Sequence, residues 1–339
     1  MKAAVTEGKG DIRIVEVPMP EIGPYRCLCK IDACATCSGT DWKIVRHQLP
    51  WHQDYPGIVG HESVGRIVKT GSKVRHLKEG DVTFRPTAAY PGEKLGDFHS
   101  LWGGFAEYGL VTDTRALMEE NPRAELGYAV FQMQIPAGLR IEPADAAMII
   151  TLKETAGFVV NMKVTLNSSV VVMGTGPVAM AMVFFARLLG AWPLIVVGRR
   201  GEPLTLMKRL GADMVVNNAT EDTAKKVREI TGGKGVDFVL DTTGDARLVG
   251  ESFSLLNETG KMGPYAVYKS DDAMKSFDQT KIAQAATGEV PTHEYLMDLV
   301  RMGLVPLKEF YSHRMPFTEI EKGFGMLDRK EAFKVVFDM

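Results

Sequence analysis

The sequence predicts a two-domain α/β protein: a small β-barrel-like domain, and beside it a doubly wound parallel sheet with helices on its faces. Three observations predict it. The chain of 339 residues is long for a single core. Residues 1–110 hold short apolar strands broken by Gly and Pro, with no persistent helical period. From about Pro143 onward, apolar strands alternate with helical segments, the order that a parallel sheet requires.

In the first part, alternation and β-branched residues predict strands at 2–5, 12–17, 27–34, 64–69, 81–85 and 105–110. In the second, strands are expected at 170–173, 194–197, 214–216, 238–241 and 260–263. Helices are expected between them, at 180–189, 203–210, 224–231 and 246–256. After about residue 290 the rhythm changes again, to a helix at 293–302, a short segment at 310–315, a helix at 320–327 and a closing strand at 332–337. The tail is expected to rejoin the first domain. This gives residues 1–145 and 291–339 to one domain and 146–290 to the inserted one.

The most informative stretch runs from 170 to 201. The apolar run Val170-Val171-Val172-Met173 breaks into Gly174-Thr175-Gly176-Pro177-Val178-Ala179, followed by a helical segment and a second apolar strand. Glycines there let the backbone turn tightly and bring a helix N-terminus against a pyrophosphate, where free N–H groups and the helix dipole favour negative charge. This strand, turn, helix, strand order predicts a dinucleotide site. At the end of the second strand, an NAD site usually carries an acid for the ribose hydroxyls. Here stand Gly198 and then Arg199 and Arg200, whose guanidinium groups can fork onto a 2′-phosphate, so NADP is expected over NAD.

A formal net charge of -2 with 45% hydrophobic residues gives no basic field for nucleic acid or an anionic membrane. The most apolar region is interrupted by glycines, Pro177, Arg187 and Pro193, well short of the roughly 20 apolar residues that a membrane helix needs. The first residues enter a strand pattern without a signal-peptide core, so a cytoplasmic location is expected. All four cysteines lie between Cys27 and Cys37, which argues against a disulfide framework. Cys27, Cys29 and Cys34 read as small apolar fillers.

The fourth cysteine belongs to a second signal. The segment Cys37-Ser38-Gly39-Thr40-Asp41-Trp42-Lys43 is followed some twenty residues later by Gly60-His61-Glu62. Thiolate, imidazole and carboxylate are zinc ligands, and a catalytic zinc needs only three from the protein. Together with Gly103-Gly104-Phe105-Ala106-Glu107-Tyr108 and the glycine turn, these segments resemble, across essentially the whole chain, the medium-chain dehydrogenase/reductase superfamily in its zinc-dependent alcohol and polyol dehydrogenase branch.

The resemblance implies a GroES-like catalytic domain and a Rossmann nucleotide domain. It also implies hydride transfer between a secondary alcohol, polyol or sugar-like, and NADP held across the cleft between domains. One catalytic zinc is implied, with Cys37 and His61 as ligands and Glu62 at or near the metal. Asp41 would hydrogen-bond the ligand histidine, Thr40 would touch the substrate oxygen, and Lys43 stands where relatives often place a proton-relaying histidine. A homodimer or homotetramer is implied, paired through the sheet edge near 262–268. Trp42, Trp51 and Trp102 are candidates for shaping the substrate pocket.

Three departures bear on this reading. The run from Cys37 to Asp41 carries one residue more than the usual spacing, so Ser38 competes with Thr40 for the hydroxyl role. The position of the third zinc ligand falls on Ile150, which cannot bind a metal; Glu154, one helical turn on, or else Glu62, must complete the site, or the zinc is weak or missing. Residues 84–102 contain no cysteine, so the four-cysteine structural zinc lobe is absent. Two rivals follow: a zinc-free NADPH-dependent enone or quinone reductase of the same superfamily, and a non-catalytic nucleotide-binding redox sensor.

Overall fold

A computed structural model describes residues 1–199, 201–268 and 272–339. The chain divides into two units, Met1–Ile150 with His293–Met339, and Thr151–Thr292.

The first unit is built on two sheets. One runs Arg13–Glu16, Lys2–Thr6, Gly57–Ile58, Phe98–Ser100, Lys94–Leu95; the other runs His313–Pro316, Val335–Asp338, Arg26–Ala35, Glu62–Thr70, Val82–Phe84, with Tyr108–Thr112 also paired to Arg26–Ala35. Arg26–Ala35 is the organising strand. Its Cys27, Cys29 and Ile31 alternate inward and are fully buried, as period-two burial demands. Cys27 and Cys29 pack with Ile67 and Val111, and burial pushes both thiols up to about 12. They are core fillers.

Register along this strand matters more than its burial. It pairs antiparallel with Glu62–Thr70 so that Ala35 faces Glu62, and antiparallel with Val335–Asp338 so that Ala35 faces Val336. Continuing one and two residues past Ala35 therefore carries Cys37 toward His61 on one side and Lys334 on the other. Three segments remote in sequence converge at one end of the sheet.

The approach to His61 is fixed by backbone packing. Phe105 N donates to Val59 O (2.9 Å), Gly104 N to Gly60 O (2.6 Å) and Gly103 N to Ile58 O (3.0 Å). Gly60 has φ +103°, and a Cβ there would lie 2.5 Å from Phe105 N, so neither the conformation nor the space admits a side chain.

The second unit is a five-stranded, all-parallel sheet in the order Met214–Asn217, Leu194–Gly198, Val170–Met173, Val236–Asp241, Leu256–Pro264. The central strand Val170–Met173 is buried along its whole length, which is why it reads as a continuous apolar run. The order reverses there, so the following turn sits at the switch point where doubly wound sheets take ligands.

The structure departs from the sequence expectations in three places. Residues 1–110 are not all strand: a short helix, Asp41–Val45, follows the cysteine. The helix expected at 246–256 is a 3-10 turn, Ala246–Leu248, then a helix that stops at Ser254, because Leu256 opens the last parallel strand. The longest helix, Pro143–Asn161, gives no amphipathic signal, since Ala146, Met148, Ile149, Ile150 and Leu152 are buried around its circumference. Among the described residues no helix is long and apolar enough to cross a membrane.

Gly60→Ala is expected to cost about 2 kcal/mol or more, from left-handed strain together with the clash. Gly10→Ala, where φ is +89° but a Cβ meets nothing within 4 Å, should cost only about 1–2 kcal/mol. Urea denaturation of both variants checks the order, and a smaller loss at Gly60 would refute the packing account.

Candidate metal centre and nucleotide turn

Cys37 follows the end of strand Arg26–Ala35, and His61 precedes strand Glu62–Thr70. The Cys37 Sγ, a His61 ring nitrogen and a Glu62 carboxylate oxygen all lie within 4.8 Å of one another. His61 and Glu62 are buried, while Cys37 is half exposed. Cys37, His61 and Glu62 are the one such group found among the described residues.

Asp41, fully buried in the first turn of helix Asp41–Val45, ties this group together. Its Oδ2 accepts from the backbone N of Cys37 at 2.9 Å, and its Oδ1 accepts from Nδ1 of His61 at 2.8 Å. A carboxylate can only accept, so Nδ1 carries a proton, and Nε2 is the nitrogen left to give up its own to a metal. The extra residue between Cys37 and Asp41 is absorbed in a turn, with Thr40 N and Trp42 N both donating to Cys37 O (3.2 and 3.3 Å). Burial works against a charged His61, but Asp41 and then Cys37 outweigh it and hold its pKa well above the ordinary value.

Lys334, just before strand Val335–Asp338, is the residue that sequence reasoning missed. It is 3% exposed, and its Nζ pairs with Oε2 of Glu62. Burial opposes its charge, but Glu62 and then Cys37 and Asp41 keep it protonated, with a raised pKa. Nothing local in the sequence marks it. It reaches the site through strand register, pinned where Thr36 N donates to Val335 O (2.9 Å) and Val335 N to Thr36 Oγ1 (3.0 Å).

The donor set suits a borderline divalent ion: one thiolate, one imidazole with its far nitrogen anchored, and one carboxylate. Thr40, half-buried, heads the short helix without its side chain capping it, and Ser38 is exposed. Lys43 is half-buried on that helix. The ring of Trp102 lies 5.6 Å from that of His61, tilted by 55°. Trp51 is 45% exposed, and Trp42 stacks under Arg46 at 3.8 Å. Ile150 is buried. Glu154 belongs to the second unit, where the Tyr265 hydroxyl donates to it at 3.3 Å.

In the second unit, Gly174 takes φ +113°, and a Cβ there would sit 2.4 Å from Thr242 Oγ1. Gly176 heads helix Pro177–Leu188 with Pro177 in its first turn, and a Cβ on Gly176 would meet nothing within 4 Å. The turn is therefore tight and open in front, as a phosphate-facing helix N-terminus requires. Gly198 packs on Thr175, and a Cβ there would fall 2.3 Å from Thr175 Cγ2. An acid has no room at that position. Arg199 is exposed and close enough to add to Arg247 in holding Asp245 down to about 2. Arg200 lies outside the described residues.

Comparison with known proteins agrees with this architecture. Residues 23–120 match the alcohol dehydrogenase GroES-like domain, and residues 177–290 match the zinc-binding dehydrogenase family. An alcohol dehydrogenase from Cupriavidus necator is 30% identical over 304 residues, spanning 80% of this chain and 78% of the relative. An erythritol/L-threitol dehydrogenase from Mycolicibacterium smegmatis is 25% identical over 99% of this chain and 96% of its own length. The solved alcohol dehydrogenase from Thermus sp. ATN1 superposes with a TM-score of 0.80 at 23% identity, covering 100% of this chain and 99% of that one, a likeness of fold. The chain belongs to the medium-chain dehydrogenase/reductase superfamily, in its zinc-type alcohol dehydrogenase branch. It is an NAD(P)-dependent oxidoreductase.

Asp41→Asn leaves the shape but turns one of the two acceptors that orient Cys37 and His61 into a donor. Metal affinity should fall by about 10–100-fold, measured by competition with a chromogenic chelator. Lys334→Met strands a buried carboxylate and should cost about 3–5 kcal/mol, with partial recovery in the Lys334→Met, Glu62→Gln double variant by thermal unfolding.

Proposed function

We propose that the protein is a zinc-dependent dehydrogenase that oxidises a secondary alcohol, polyol or sugar-like, with NADP as the preferred acceptor. The observation that carries this is the gathering of Cys37, His61 and Glu62 donor atoms around one point, with Asp41 bonded to two of the three residues. In this reading Cys37, His61 and Glu62 are the ligands. Glu62 is preferred to Glu154 because its carboxylate already faces the other two donors.

When bound, zinc supplies a Lewis acid for the alcohol oxygen, and the nicotinamide nucleotide supplies the hydride acceptor. The chain's own residues do the rest. Asp41 keeps the His61 proton on Nδ1 and so keeps Nε2 available as a donor of electrons. Thr40, whose hydroxyl is not spent on capping, orients the substrate hydroxyl and relays its proton, accepting at Oγ1 as its own hydroxyl proton leaves; Ser38, exposed, is the weaker candidate. Lys43, on the next position but two, would receive the released proton as a neutral amine and pass it outward as the ammonium. Lys334 balances Glu62 and limits how strongly the carboxylate competes with substrate for the open position. Gly174, Thr175, Gly176, Pro177 and Val178 cradle the pyrophosphate at the helix N-terminus, while Gly198 and Arg199 form the wall for the 2′-phosphate. Pairing of two copies through the sheet edge near 262–268, as a dimer or a tetramer, is part of this reading; strand Leu256–Pro264 is last in the sheet order.

The pairing of Glu62 with Lys334 favours one second reading, in which the carboxylate stays with the ammonium and no zinc is held. The protein is then a zinc-free reductase of an activated double bond. Metal analysis separates the two. We expect one zinc per catalytic site, loss of alcohol oxidation on chelation and its return with zinc; full activity in metal-free protein would overturn the zinc reading. We expect NADP to be preferred over NAD by at least about tenfold in kcat/KM, and Arg199→Glu to narrow or invert that ratio by removing one phosphate partner. An unchanged ratio would remove Arg199 from the 2′-phosphate wall.

A further inference from the structure

The open side of the metal group is bounded by an aromatic ring. His61 and Glu62 are buried, whereas Cys37 and Trp102 are half-buried, so an incoming molecule meets the sulfur and the indole first. The Trp102 ring stands 5.6 Å from the imidazole.

Its backbone is held in an unusual state to keep it there. Trp102 has φ +69°, a conformation in which a bulky side chain is a genuine outlier. It persists because its neighbours overdetermine it. The Thr87 hydroxyl donates to Trp102 O, Ala88 N donates to Gly103 O at 3.0 Å, and Gly103 N donates to Ile58 O at 3.0 Å. Glycine would take this backbone without strain, and the next residue in the turn is glycine. A tryptophan kept at such a position in a site is strain retained for the sake of the side chain.

The chemistry of the ring indicates what it recognises. The indole face is electron-rich, and C–H groups on hydroxyl-bearing carbons are polarised positive, so a polyol carbon chain lies on that face more favourably than a plain alkyl chain does. The indole N–H, which donates to no acceptor among the described residues, adds a donor at the ring's edge for a second hydroxyl.

We propose that Trp102 is a specificity-determining residue that forms the wall of the alcohol subsite and selects polyhydroxylated substrates over simple secondary alcohols. The inference rests on the dehydrogenase reading above. Trp102→Leu and Trp102→Phe, purified with their metal, test it against a panel of tetritols, pentitols and hexitols beside 2-butanol. Trp102→Leu should lose about fivefold to tenfold in kcat/KM on the best polyol and less than about twofold on 2-butanol, with Trp102→Phe between. Independently of turnover, titrating the polyol into the parent protein should shift an indole emission band that Trp102→Phe lacks. Cobalt substitution reports on the metal group, since a thiolate-to-cobalt band shows the centre intact in each variant. If the band is present but both substrate types change equally, or the emission does not respond, the assignment of Trp102 is overturned while the dehydrogenase reading stands. If the parent protein shows no cobalt band, or oxidises no polyol, the reading beneath the assignment fails and Trp102 falls with it.

Discussion

One buried carboxylate sets the geometry on which the candidate centre depends. Asp41 joins a backbone amide at the end of one strand to an imidazole at the start of its antiparallel neighbour, and each bond uses a different oxygen. With both oxygens engaged, neither Cys37 nor His61 can turn away without stranding a desolvated charge. The site is preorganised in that sense: its donors converge because the alternative costs an unpaired buried anion. The glycine contacts between 57–61 and 103–105 serve the same end from behind, by fixing the path of the chain that delivers the imidazole.

The two units solve related problems by different means. The catalytic unit buries a carboxylate and places the ammonium of Lys334 beside it. The nucleotide unit does the converse, presenting helix-terminal amides and an exposed arginine to a polyanionic ligand. In both, small residues are where they are because backbone must approach backbone or ligand closely. Gly198 illustrates it: a Cβ there would fall 2.3 Å from Thr175 Cγ2, so the absence of an acid at this position goes with local packing.

Much of this was legible in the sequence. The strand, glycine turn, helix and strand at 170–197 declare themselves because a central parallel strand is apolar throughout and its turn needs glycine. Cys37, His61 and Glu62 stood out as residue types that need a reason, and folding brings their donor atoms together. What stayed hidden depends on long-range pairing. Lys334 sits before an ordinary closing strand, and only the register against Ala35 reveals that it faces the thiolate. Helix Pro143–Asn161 escaped notice because burial on all sides erases the periodicity by which helices are read. The short helix Asp41–Val45 is too brief to show a period, and it forms around a carboxylate that points inward.

The bond between Thr36 and Val335 spans 299 positions of sequence, and the whole nucleotide unit is threaded between its ends. A nascent chain emerging from the ribosome therefore presents its cysteine, histidine and acids long before the ammonium that partners Glu62 has been made. Until then the carboxylate has His61 beside it, Nε2 lying 3.9 Å from Oε1, but not the ammonium. Insertion of one domain within another thus couples the order of synthesis to the order in which charges are neutralised.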